Sequence, residues 1–158
     1  MHKGVDVKNW MSGDPVSVEA AASALEALEL MLNHGIRHLA VLDSGRCVVG
    51  VLSLDDLRAV LPFPVRQRVM PSPKERMLAR EWSVNDVMTP APATVGEGAS
   101  LAEAAQRMAT LRIGCLPVVD EAGHLAGILS ETDVLHALAT ALWSDEVRER
   151  RAGGESQD

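Results

Sequence analysis

Ser53 and Asp56 stand three residues apart where an apolar run ends, in "GVLSLDDL", and Ser130 and Asp133 repeat the arrangement in "GILSETDV". A carboxylate offers two acceptor oxygens, which match the paired donors of a vicinal diol, and a neighbouring hydroxyl both donates and accepts. Each stretch reads as a strand passing into a helix, whose free backbone N–H groups and positive dipole end favour an anionic group such as a phosphate. The spacing is also that of a capping box, in which serine accepts from the N–H three residues on and the acid returns the bond. Capping is the minimum role, and grip on a polar ligand would come in addition.

Three other signals are weaker. "HGIRH" places His34 and His38 four residues apart, a spacing that on one helix could bind zinc. Gly35 is where that helix should end, so the two rings leave on different elements and no metal site is expected. Cys47 and Cys115 form neither a disulfide framework nor a metal knuckle. A lone Cys115 without a histidine in its own copy reads as a small buried thiol rather than a nucleophile. No acid–base pair, Gly-rich loop or metal triad marks an enzyme site.

The elements that must position these residues are written twice. Sliding the sequence by 77 positions lays residues 7–61 over 84–138 without a gap, and 18 of the 55 aligned positions are identical. Gly50 meets Gly127, Met11 meets Met88, Pro15 meets Pro92, and both Ser/Asp pairs coincide. Internal repetition of this kind means one structural unit used twice.

Each copy reads as β-α-β-β-α. "PVSV" and "PATV" are short extended pieces, each entered through a proline that disfavours helix before it. "SALEALELMLNHG" and "SLAEAAQRMATLR" are helices opened by S-x-x-E capping boxes. Leu25, Leu28, Met31 and Leu32 form an apolar stripe in the first, and Leu101, Ala105 and Met108 in the second. "HLAVLD" and "CLPVVD" are buried strands, turned by "SGR" and "EAGH" into antiparallel second strands. "LDDLRAVL" and "ETDVLHALATAL" close the copies as helices. A lead segment precedes each copy, "VKNWM" in one and "VNDVM" in the other.

The expected organisation is repeat 1 at 7–61, a Pro-rich basic linker at 62–83, repeat 2 at 84–140, and a helix end and disordered tail at 141–158. One copy alone has a thin core, whereas two copies packed sheet to sheet bury the strand faces of both. The fold class is therefore mixed α/β (α+β) with pseudo-twofold symmetry. The linker reads as a solvated connector. Its Arg66, Arg68 and Arg80 are the alternative, a cationic strap that orders over a bound phosphate.

Composition narrows the function. The chain has 47% hydrophobic residues, a net charge of −7, one Phe, three Trp and no Tyr. Base-stacking platforms are nearly absent and the net charge repels polyanions, so no nucleic acid and no anionic membrane surface is expected as a partner. No apolar run reaches the roughly 20 residues that span a bilayer, and "MHKGVDVKNW" lacks a signal-peptide core. Cytoplasmic residence is the simplest expectation.

The M-x-x-x-P-x-x-V lead, the "LPVVD" strand and the "GILSETDV" turn, doubled in one chain, resemble the cystathionine-β-synthase-type (CBS) domain, whose tandem pair is called a Bateman module. The resemblance covers residues 7–140. It implies a stand-alone pair with two clefts between lobes that bind AMP, ADP, ATP or a related adenosyl ligand as a regulatory ligand, with no cofactor and no catalysis. By that resemblance Asp56 and Asp133 accept from the ribose hydroxyls, while Ser53, Asp55, Ser130 and Thr132 face the phosphate. It also implies that Asp14, Pro15 and Val16, with Ala91, Pro92 and Ala93, line the adenine pockets. Arg37, His38 and Leu39, with Gly114, Cys115 and Leu116, complete the walls. Arg37 and His38 bring positive charge where Gly114 and Cys115 bring none, so the clefts are expected to be unequal. The Asp133 side, with its two hydroxyls, is expected to bind nucleotide better than the side where Asp55 stands. A homodimer acting on an unidentified regulated partner is expected, and an assembly module with empty clefts is the alternative.

Overall fold

A computed structural model describes residues 5–154. Repeat 1 contains β1 (Ser17–Glu19), α1 (Ala24–His34), β2 (His38–Leu42), β3 (Val48–Ser53) and α2 (Leu54–Val60). The linker contributes α3 (Pro73–Arg80). Repeat 2 follows with α4 (Val84–Val87), β4 (Thr89–Pro90), β5 (Val95–Gly96), α5 (Leu101–Leu111), β6 (Cys115–Val119), β7 (Leu125–Ser130) and α6 (Glu131–Gly154). In both repeats the first main strand runs parallel to the second, and the second is antiparallel to the third. The order β-α-β-β-α is present twice.

The helix stripes explain the two cores. Leu25, Leu28 and Met31 of α1 are buried with Leu39, Val41, Leu52 and Leu57. Leu101 and Met108 of α5 are buried with Leu116, Val118 and Leu129. Leu32 and Ala105 of the expected stripes remain only half-buried. Capping is simpler than expected at two helix starts. Ser23 Oγ accepts from Glu26 N at 3.2 Å but Glu26 returns no bond, and Ser100 makes no side-chain cap.

The lead segments do what local pattern cannot show: each docks on the opposite repeat. Val7 N donates to Ala99 O at 2.9 Å, and Leu101 N to Val5 O at 2.8 Å. The counterparts 77 positions on are Val84 N to Ala22 O, 2.8 Å, and Ala24 N to Trp82 O, 2.8 Å. Val7, Trp10 and Met11 thus belong to the repeat 2 core, and Val84, Val87 and Met88 to the repeat 1 core. The β4 strand extends the repeat 1 sheet beside β3, and Ser12 pairs with Ile128 in the other sheet. Cys47 bridges His124, its own counterpart, which marks where the pseudo-twofold axis passes.

Gly50 and Gly127 are the seats for this exchange. A Cβ on Gly50 would overlap Met88 Sδ and lie 3.1 Å from Thr89 O. On Gly127 it would overlap Met11 Sδ and lie 2.8 Å from Ser12 O. Absence of a side chain lets a crossing segment lie directly on the strand.

The linker departs from the expectation of a solvated connector. Ser72 and Glu75 form a reciprocal capping box, with Ser72 N to Glu75 Oε2 at 2.7 Å, that starts α3 behind Pro73. Ala79 is fully buried in the repeat 1 core, and Arg76 pairs with Glu29 of α1 at 2.5 Å. The basic segment is therefore anchored on repeat 1, in place of a free connector. Helix α6 runs to Gly154, with its end inside the expected 141–158 segment, through Glu- and Arg-rich sequence of good helix propensity. The remainder of the anticipated tail, 155–158, lies outside the described residues.

Candidate functional site

Strand β3 ends on Ser53 and β7 on Ser130, and the next residue starts a helix in each case. Ser53 N donates to Asp56 Oδ2 at 2.8 Å while Asp56 N donates to Ser53 Oγ at 3.0 Å. Ser130 N donates to Asp133 Oδ2 at 2.7 Å, Ser130 Oγ donates to the same oxygen at 2.8 Å, and Asp133 N donates to Ser130 Oγ at 3.3 Å. Both boxes hold one carboxylate oxygen in place. Among the described residues no protein hydrogen bond reaches Oδ1 of either aspartate, which leaves one acceptor on each for something else.

The two turns converge. Ser53, Asp55 and Asp56 from repeat 1 and Ser130, Thr132 and Asp133 from repeat 2 line one cleft of about 1010 Å³. That is at the upper end of the volumes that enclose a drug-sized ligand. Arg37, His38, Ala91, Pro92, Ala93, Gly114 and Cys115 also line it. Five residues expected in the walls do not. Leu39 and Leu116 are fully buried in the two cores, because successive strand residues point to opposite faces and their neighbours His38 and Cys115 already face the cleft. Asp14, Pro15 and Val16 lie away from it, Val16 against the repeat 1 core, although their counterparts 91–93 form one wall. Arg66, Arg68 and Arg80 are not in its lining either. Both turns line this one cavity, which takes residues 91–93 but not 14–16 into its walls.

Charge is distributed unevenly along the walls. Asp55 lies 3.6 Å from Arg37 and 3.1 Å from Arg58, so it does not stand as an unopposed negative charge. Glu131, Ser12, Thr89 and Arg112 also face the cleft and went unnoticed in the sequence. Alignment to Gly35 hid Arg112, and alignment to Leu54 hid Glu131; charged residues facing apolar or glycine counterparts are the available signal.

His38 crosses between the repeats. Its Nε2 would be 3.0 Å from a Cβ on Gly114, so the ring packs on that glycine's backbone. Burial lowers the His38 pKa below its ordinary 6.5; Glu131, Asp56 and Asp55 oppose this, and Arg37 adds to it. A base with a depressed folded pKa binds its proton more readily when unfolded. Its stabilising contribution is thus present above 6.5 and is lost as pH falls below that value. Unfolding midpoints measured from pH 7.5 to 5 should therefore fall more steeply for the unaltered chain than for His38→Gln, and parallel curves would contradict this. Burial, with Glu131 and Asp56 next, pushes the Cys115 thiol up to about 12, so it stays protonated and unreactive in the cleft wall.

With this geometry in view, similarity to known proteins is informative. The CBS domain family model matches residues 6–62 and 84–140. The CBS domain-containing protein CBSX2, chloroplastic, of Arabidopsis thaliana is 30% identical over 135 residues, covering 76% of this chain and 57% of that protein. A CBS domain-containing protein of Dictyostelium discoideum is 28% identical over 138 residues, covering 86% of this chain and 92% of its own length. The crystal structure of CBSX2 in complex with AMP superposes with a TM-score of 0.70 at 30% identity, covering 87% of this chain and 98% of that one. With two matched copies in the same order as the two structural repeats, this chain is a tandem CBS pair and belongs to the CBS domain family.

Proposed function

We propose that this chain is a regulatory module that binds an adenine nucleotide, AMP, ADP or ATP, or a related adenosyl ligand in the shared cleft and signals occupancy to a partner protein. The observation that carries this reading is the convergence of two Ser-x-x-Asp turns on one cavity, each with an unused carboxylate oxygen. AMP in the similar CBSX2 supports it. A ligand touching both repeats favours whichever arrangement of the lobes it fits better, and only that difference in affinity can drive a change felt elsewhere. The ligand acts as a signal rather than a cofactor, and the proposed setting is the cytoplasm. A thermal-shift series with AMP, ADP, ATP, NAD and S-adenosylmethionine tests the reading. Ligand at 100 times its dissociation constant adds about 2.7 kcal/mol, a clear rise in melting temperature. No rise with any adenine compound at millimolar concentration would leave the cleft without this role.

A second reading, assembly, has its own observation. Leu135, Leu138, Leu142 and Trp143 are exposed along α6, at spacings that put the three leucines on one face. Exposed apolar stripes of this size mark interfaces. We propose that α6 pairs with its copy in a homodimer, with or without ligand. Sedimentation at micromolar concentration should give twice the 16.9 kDa chain mass. Leu138→Glu should shift it to monomer, and a monomer for the unaltered chain would remove the proposal.

A further inference from the structure

The basic linker is left over once the cleft is accounted for. Arg66, Arg68 and Arg80 do not line the cavity. The segment that carries them is nevertheless held in place. Pro71 and Pro73 restrict its backbone, Ser72 and Glu75 cap α3, and Arg76 and Ala79 turn inward onto repeat 1. The opposite face is turned to solvent. Met77 is 67% exposed, and Lys74 and Arg80, also exposed, lie one turn to either side of it. In the loop before the helix, Val69 and Met70 are 54% and 45% exposed, beside an exposed Arg68. Hydrogen bonds from Ser72, and then the charge of Arg66, hold the Glu75 carboxyl below its ordinary value, so that loop and the first turn of α3 are neighbours.

Charge decides what such a face would accept. Five Arg or Lys against two Glu give residues 62–83 a net charge of +3, so in a chain of net charge −7 everything outside the linker carries −10. Arg68, Lys74 and Arg80 have no carboxylate partner among the described residues. Carboxylates complement these cations, and flexible methionine side chains adapt to apolar groups of varied shape. No aromatic residue stands between 66 and 81 to stack on a base, which disfavours nucleic acid. An anionic membrane is a broad surface that would also meet the acidic remainder of the chain, whereas one peptide segment can meet the linker alone.

We infer that this outward face, formed by Arg68, Val69, Met70, Lys74, Met77 and Arg80, docks an acidic amphipathic segment of a partner protein. The face is separate from the cleft and from the exposed stripe of α6, and its role does not depend on what the cleft binds. Because the capped helix and the prolines fix it beforehand, docking orders little of this chain.

The test uses the full chain without nucleotide. The probe is a fluorescent peptide of about 16 residues with Glu and Leu in helical order, and polyglutamate of equal length and phosphatidylglycerol vesicles are the comparators. Anisotropy should show saturable binding of the Glu/Leu peptide, about tenfold tighter than polyglutamate and weakened by added salt. Lys74→Glu combined with Arg80→Glu should weaken it about tenfold, and Met77→Ser about fivefold. Arg68→Glu, which lies outside the helix, should also weaken it, so that damage to α3 cannot account for the whole effect. Melting temperatures should stay unchanged, since all these side chains are exposed. Leu138→Glu on α6 should leave the peptide's affinity as it was. The inference is overturned by no saturable binding, by equal affinity in the linker variants, by loss in Leu138→Glu alone, or by polyglutamate binding as tightly. Vesicles that bind the chain through these residues while the peptide does not would assign the face to a membrane and overturn it as well.

Discussion

Gly127→Val is expected to destabilise the chain by about 3 kcal/mol, at the upper end of the cost of overfilling a packed site. The new side chain would collide with the Met11 thioether and with Ser12 O, 2.8 Å from the first added atom. Those atoms belong to the lead segment that seals the repeat 2 core, so the clash expels a segment and exposes Val7 and Trp10 as well. Met11→Ala in the same chain should restore only part of the loss, since trimming the thioether leaves the Ser12 carbonyl in place. At Gly50 the two nearest atoms both belong to Met88, so Met88→Ala should rescue Gly50→Val more completely. Urea unfolding of the two double-mutant cycles gives these values. A cost under 0.5 kcal/mol for either single valine would show that the seat is not filled as described.

Asp133→Asn is expected to weaken AMP binding about thirtyfold, within the range for hydrogen bonds to a charged group. The free Oδ1 is the proposed acceptor for a ribose hydroxyl, and the amide keeps the shape while removing the charge. Asp56→Asn should cost less. Its neighbour Asp55 holds Arg37 and so draws that cation away from a phosphate, whereas Thr132 offers a hydroxyl where Asp55 stands in the other turn. Calorimetry on the two variants separates the sides, with unfolding measured alongside because both carboxylates also cap helices. A larger loss for Asp56→Asn would place the nucleotide on the repeat 1 turn instead. Equal affinity in all three proteins would remove both aspartates from the site.

Much of this was legible in the chain. The 77-residue shift and the strand-to-helix turns are local patterns, and local patterns foretold β2, β3, β6, β7 and the capping boxes at Ser53 and Ser130. Leu39 and Leu116 could have been excluded from the cleft by strand alternation alone, since each sits beside a residue assigned to the same wall. The exchange of lead segments was not legible. Periodicity says that Val7 and Val84 are apolar and paired by the repeat, but not which of two similar cores each enters. Gly50 and Gly127 were visible as an identity whose cause lies on the other repeat. The helix in the linker had a readable start in Ser72–Pro73–Glu75, outweighed by prolines and charge.

The exchanged lead segments also set the order in which this protein can become itself. Residues 5–12 are synthesised before the groove that receives them, which is built from residues more than eighty positions later. Contacts of such sequence separation form late and slow the search for the native state. The nascent first half must therefore wait with its opening segment unclaimed and its own groove unfilled until Val84 emerges. Two halves that resemble each other so closely could have been independent; stitched head to neighbour, they are committed to a single cooperative life, and neither can be inherited, cut out or fused elsewhere without the other's opening residues.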